Sequence, residues 1–143
     1  MTAAALVPGV LVASILVDTA PGDAMTHRER VRVIRVAAAK AGAPYSYGAE
    51  GPCRFDCSGL TMRVLHRIGR ELPRTSRDQS TATHRVTQAR RRWGDLVFLS
   101  YRGRVHHAGI CAGRNRIWHA PGPGRRVQRE RLWTSRVTCG RVR

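Results

Sequence analysis

A chain of 143 residues with 26 Lys and Arg against 9 Asp and Glu carries a formal charge of +17, and it is long enough for one domain with its own core. Its four cysteines, Cys53, Cys57, Cys111 and Cys139, are too few for a disulfide scaffold at this length. Lys40 is the only lysine, and the charge favours anionic partners, either nucleic acid or the anionic polymers of a cell envelope, but the scattered arginines come with no basic zipper, finger spacing or base-stacking aromatics, and a solvated arginine-rich surface is the plain alternative.

Residues 3 to 17 are almost continuously apolar but too short for a comfortable membrane span. They read either as the apolar region of an export signal, with Gly22-Asp23-Ala24 as a small-residue cleavage site, or as a membrane-associated helix. No Lys or Arg precedes them, so the positive start of an export signal is missing. Residues 1–24 are thus set apart as a leader, and residues 25–143 as the folded domain.

Thr26 and Glu29 match a capping box, and Val31, Ile34, Ala38 and Ala41 recur at helical spacing, which predicts a first helix over 27–41 stopped by Gly42. Pro44 to Gly48 is an irregular stretch with Tyr45 and Tyr47. A second helix is expected over 57–68, with Leu60, Val64, Leu65 and Ile68 on one face. Ser76 and Gln79 suggest a capping box for a short third helix reaching His84. From Trp93 onward short apolar runs alternate with turn residues. Strands are expected over 96–99, 105–112, 116–120, 126–130 and 136–142. Helices first and strands after them, at hairpin spacing, predict an α+β domain with a mostly antiparallel sheet.

Chemistry concentrates at Arg54-Phe55-Asp56-Cys57-Ser58-Gly59-Leu60, a loop running into the second helix. Free N–H groups and the positive end of the dipole at a helix start favour a thiolate, which can lower a cysteine pKa from ~8.5 to between roughly 3.5 and 7.5. A small buried residue at a helix end is the plain alternative for Cys57 alone. His107 and His119, on neighbouring strands joined through the Gly113-Arg114-Asn115 turn, lie almost symmetrically about Arg114 and come within cross-strand reach. A nucleophile, a base and a group that holds the base form the constellation needed for covalent peptide hydrolysis. A zinc site from Cys53, Cys57, His106 or His107, and Cys111 fits worse, because the C-x-x-x-C spacing is not that of a tight knuckle.

Six segments, in order, resemble the NlpC/P60 family of cell-wall cysteine peptidases: Pro44-Tyr45-x-x-Gly48, Phe55-Asp56-Cys57-Ser58-Gly59-Leu60, Leu72-Pro73-Arg74-Thr75-Ser76, Gly94-Asp95-Leu96-Val97-Phe98, His107-x-Gly109-Ile110 and His119-Ala120-Pro121. The resemblance implies a papain-like fold with Cys57 as nucleophile, His107 as base and His119 as the third polar residue. It also implies Tyr45 beside the cleft and Asp56 and Ser58 at the substrate's amino end, with no metal and no cofactor. The expected substrate is a peptidoglycan stem peptide, cut between γ-linked D-glutamate and the following diamino acid by a secreted or wall-associated monomer; the alternatives are a catalytically inactive wall-binding relative of the fold and a basic nucleic-acid-binding module. Anionic wall polymers are the expected partners of the surface charge. Ala49, Trp93 and His106 depart from the family pattern. Strand alternation lets only one of His106 and His107 face Cys57, and the family register favours His107.

Overall fold

The computed structural model describes residues 24–143. Apart from Ala24, the leader reading of residues 1–24 therefore lies outside the described residues. No described helix is long and apolar enough to cross a membrane. Three helices, α1 (His27–Ala39), α2 (Cys57–His66) and α3 (Ser76–Ala82), precede a six-stranded antiparallel sheet. Its strands are β1 (His84–Val86), β2 (Leu96–Tyr101), β3 (Arg104–Cys111), β4 (Arg116–His119), β5 (Gln128–Arg131) and β6 (Val137–Arg141), in spatial order β1-β6-β2-β3-β4-β5. The α+β expectation holds, with helices on an antiparallel sheet.

Local chemistry explains most boundaries. Thr26 and Glu29 form both bonds of the capping box, with Glu29 N–H donating to Thr26 Oγ1 at 3.2 Å and Thr26 N–H to Glu29 Oε2 at 2.7 Å. α3 starts one residue earlier in its capping than expected: Thr75, not Ser76, accepts from the N–H of Asp78. Gln79 is not a capping residue at all. It is fully buried, and its amide donates to Ser58 O and Pro73 O while Thr61 Oγ1 donates to it, which fastens α3 to α2. α3 also ends at Ala82, short of the predicted His84, because residues 84–86 pair with β6 as an extra strand. The Gly113–Arg116 turn carries Arg114 and Asn115 at φ 50 and 58, a hairpin turn whose twist matches the flanking strands.

β2 is buried on both faces, which is why Leu96 to Leu99 reads as a continuous apolar run. Leu96 and Phe98 pack with Val33, Ala37, Leu60, Val64 and Leu65 of the helices. Val97 and Leu99 join Cys111, Ile117, Leu132, Val137 and Cys139 in a smaller second cluster. A buried carboxylate ties the layers. Asp95, fully buried, accepts from Arg30 of α1 (2.9 Å), from Arg141 of β6 (3.0 and 2.8 Å) and from the N–H of Arg92 (2.7 Å). Burial raises its pKa, but these donors outweigh burial and hold the carboxyl below the usual range.

Candidate active site

Cys57 is the first residue of α2, and Asp56 is the cap that starts the helix. Asp56 Oδ1 accepts from the N–H of Gly59 at 2.7 Å, and Oδ2 from the N–H of Gly48 at 2.9 Å. Arg74 closes on both oxygens, at 3.0 and 2.8 Å, and also donates to Ser58 Oγ at 2.9 Å. The carboxylate thus locks the tyrosine-bearing loop, the helix start and the segment before α3 together. Burial raises its pKa, but the bonds from Arg74, Gly59 and Gly48 win and leave it lowered. Gly59 has no room for a side chain: a Cβ there collides with the carbonyl oxygen of Ala49 and lies 2.9 Å from Asp56 Oδ1 and from Glu50 Cα. That close approach accounts for the Ser-Gly pair after the cysteine.

The cleft beside Cys57 measures about 440 Å³ and is lined by Tyr45, Tyr47, Asp56, Ser58, Arg74 and His106 among others. Tyr47 is 91% exposed at its mouth. Burial, followed by the charges of Cys57 and Asp56, raises the Tyr45 pKa, so its hydroxyl stays a proton donor at neutral pH. The backbone amides of Ala108, next in chain to His107, and of Ser58 and Cys57 itself favour the ionised form of the Cys57 sulfur. The thiol is nonetheless pushed up, contrary to the lowering expected from the helix start. Burial is the largest cause, the Asp56 carboxylate adds to it, and the amide donors do not offset them.

His107 is 8% exposed and His119 fully buried. Their rings meet edge to face, 5.1 Å between centroids, with His107 Nε2 2.8 Å from His119 Nδ1. They are not directly opposed on the ladder. The register Ile110↔Trp118 and Cys111↔Ile117 continues to place Gly109 opposite His119, so the histidine pair is diagonal. Gly109 opens this diagonal, since a Cβ there lies 3.3 Å from the His119 Cβ and 3.1 Å from Ile117 Cδ1. The strict alternation expected for His106 and His107 also breaks. Leu99 pairs with His107 and Ser100 with Val105, so His106 is the extra residue of a β-bulge. His106 faces the cleft, while His107 turns inward to His119.

The chain of rings ends on a residue that sequence reasoning missed. Glu130 Oε2 of β5 lies 2.7 Å from His119 Nε2. Burial raises the Glu130 pKa, but His119 and Arg125 outweigh it and hold the carboxyl below its usual range. Burial lowers the His119 pKa against the pull of Glu130. An ionised Glu130 and a neutral His119 therefore coexist, and the orientation of every proton follows. Glu130 has only lone pairs to offer, so His119 carries its proton on Nε2 and presents Nδ1 as an acceptor. His107 must then donate from Nε2, which leaves its Nδ1 lone pair free to accept a proton. His107 is lowered from 6.5 to about 4, first by burial and then by His119 and His106, so this free base is present at pH 7. The Trp133 ring lies 5.6 Å from that of His119, tilted by 35°.

The thiol and the imidazole are each disfavoured as lone charges. They sit on packed elements, α2 and β3, and both are neutral at pH 7. Among the described residues no group of three His, Cys, Asp or Glu side chains is arranged to hold a metal ion.

The NlpC/P60 family model matches residues 42–142. A probable endopeptidase p60 from Listeria innocua is 41% identical over 83 residues, 58% of this chain and 18% of that protein. A gamma-D-glutamyl-L-lysine dipeptidyl-peptidase from Bacillus subtilis is 31% identical over 99 residues, 67% of this chain and 33% of its own length. The chain spans less than a fifth of the first of these relatives. In structure it is similar to the NlpC/p60 domain of the peptidoglycan hydrolase SagA, with a TM-score of 0.73 and 28% identity over 78% of this chain and 97% of that one.

Proposed function

The chain belongs to the NlpC/P60 family, and on that premise we propose that it is a cysteine peptidase of peptidoglycan stem peptides. The observation that carries the reading is the directed chain Glu130–His119–His107, which leaves one unprotonated ring nitrogen beside the strand residue whose amide reaches Cys57. In the first step the Cys57 thiol gives its proton to His107 Nδ1 while Sγ attacks the scissile carbonyl carbon. The N–H groups of the first turn of α2 and the Tyr45 hydroxyl are the donors available to the oxyanion. The His107 imidazolium then protonates the leaving amine, and a thioester remains on Cys57. Water, deprotonated by His107, hydrolyses it and restores the thiol. His119 and Glu130 hold the His107 tautomer and stabilise the transient imidazolium.

Asp56 and Ser58 serve the substrate's amino end, with Arg74 and the exposed carboxylate of Glu50 completing the polar wall. The bond cut is the one after γ-linked D-glutamate, as in the name of the Bacillus relative. One copy carries the whole cleft, so a monomer suffices, and the substrate sets the place of action at the cell wall. Digestion of purified peptidoglycan followed by mass spectrometry of the soluble fragments tests this. Wild type should release fragments ending in D-glutamate, and Cys57→Ala should release none while keeping its circular dichroism spectrum. Retention of more than a few per cent of activity in Cys57→Ala refutes the assignment.

A further inference from the structure

A second cavity, of about 510 Å³, opens where the start of α1, the turn of residues 88–93 and the β3–β4 hairpin meet. It shares no lining residue with the catalytic cleft. Three of its walls are guanidinium groups, Arg91, Arg92 and Arg114, and among the described residues none of the three pairs with a carboxylate. Arg91 donates to the neutral oxygen of Asn115 at 2.8 Å. A fourth, Arg30, is 5% exposed. Its Nη1 donates to Asp95 and to the carbonyl of Trp93, but its Nη2 is buried with no hydrogen-bond partner among the described residues. Asp95 is already shared with Arg141, so it does not neutralise the cavity.

The remaining wall is aromatic and is built by a glycine. Gly113 sits at φ 75, and a Cβ there collides with Trp93 Nε1. Without a side chain at 113 the indole lies against the hairpin, half exposed at 51%. A flat ring beside several guanidinium forks offers two kinds of contact at once. The ring face covers the apolar C–H face of a sugar, and the forks bind tetrahedral oxyanions in pairs of parallel bonds.

We infer that this cavity is a second binding site, which takes a sugar-linked phosphate group of an anionic wall polymer between Trp93 and the Arg91, Arg92 and Arg114 guanidinium groups. The choice of polymer rests on the peptidase reading above. The site itself does not. A cavity of this volume fits one sugar phosphate, whereas single-stranded nucleic acid is held along a groove with successive aromatic platforms. Tethering at this site raises the local concentration of stem peptides at the cleft while the cleft turns over.

The test follows the Trp93 Nε1–H signal of the full ¹⁵N-labelled chain by NMR, assigned by its loss in Trp93→Phe. Inorganic phosphate and glucose 1-phosphate should each shift it saturably, the sugar phosphate at lower concentration, and glucose should not. Arg92→Ser with Arg114→Asn removes two forks, and asparagine tolerates the left-handed backbone at 114. That pair should weaken glucose 1-phosphate at least roughly tenfold while leaving hydrolysis of a soluble stem peptide unchanged. Arg114→Asn alone should fall between. No saturable shift with either phosphate, or equal affinity in the double variant, overturns the site. An oligothymidylate that outcompetes a phosphate-bearing wall glycan at equal phosphate concentration overturns its identity. A chain that binds glucose 1-phosphate yet cleaves no stem peptide leaves this cavity standing and refutes the reading of the cleft.

Discussion

Glu130 makes no contact with the cleft, yet the tautomers of both histidines depend on it. Glu130→Gln keeps an oxygen that can accept from His119 Nε2 and removes the charge, whereas Glu130→Ala removes both. A hydrogen bond to a charged group contributes about 1.5–3 kcal/mol, against about 0.5–1.5 kcal/mol for a neutral one. Glu130 is one-third exposed, so solvent replaces part of what is lost and the lower ends of these ranges apply. Glu130→Gln should then lower kcat/KM roughly fivefold, and Glu130→Ala roughly ten- to thirtyfold. The pH profile separates this from a general loosening of the fold. The Glu130 charge raises the His107 pKa, so removing it lowers that pKa further. In the proposed mechanism His107 acts as a base in its neutral form, hence the acid limb of kcat/KM should move to lower pH in both variants even as the plateau falls. The assay is hydrolysis of a soluble stem peptide from about pH 2.5 to pH 8. An acid limb that moves up, or Glu130→Ala within twofold of wild type, refutes the directed chain.

His107→Ala should be nearly as inactive as Cys57→Ala, while His106→Ala keeps most of its activity on the same peptide; the reverse result places the base on the bulged residue. His119→Gln and His119→Asn should retain measurable turnover and His119→Ala less, since positioning and not bond-making is lost. Because His107 is neutral in the fold and its pKa is depressed from 6.5 to about 4, the unfolded chain takes up the proton first as pH falls. Stability should be fully present above pH 6.5 and decline toward pH 4 by on the order of 3 kcal/mol. Urea titrations across that range should show this decline halved or better in His107→Gln, and an unchanged slope in that variant contradicts the burial argument. Gly59→Ala forces its Cβ into the Ala49 carbonyl, so its urea midpoint should fall by the equivalent of at least about 2 kcal/mol, and a neutral result means the loop yields.

Much of this architecture is legible in the sequence because it is written locally. The Thr26–Glu29 box, the loop running into the helix at Cys57, the Gly113-Arg114-Asn115 turn and the apolar run of β2 each declare themselves within a few residues. What escapes is decided at long range. His84-Arg85-Val86 has no strand pattern of its own and becomes one only by pairing with β6. The bulge at His106 depends on the partner strand, which alternation along β3 alone does not reveal. A helix start alone lowers a cysteine pKa, but at Cys57 burial dominates and raises it. Glu130 was findable in part: it is the only acidic residue after Asp95, and it lies on a strand following that of His119. Its lone negative charge among Arg125, Arg126, Arg129 and Arg131 was the signal, and only the β4–β5 register gave it a meaning.

The placement of β6 bears on how the domain comes into being. The last strand in the chain is threaded between the first and the second, and Arg141 at its end supplies two of the bonds on buried Asp95. Until residue 141 has left the ribosome, β2 offers an open edge, β1 has nothing to pair with, and the anchor of α1 is half made. Synthesis up to β5 already delivers Cys57, His107, His119 and Glu130, yet leaves them on an unclosed sheet. Folding of the domain is thereby deferred until β6 has been made, and a stalled or clipped product lacking β6 should expose its apolar strand edge and be drawn to chaperones or aggregates.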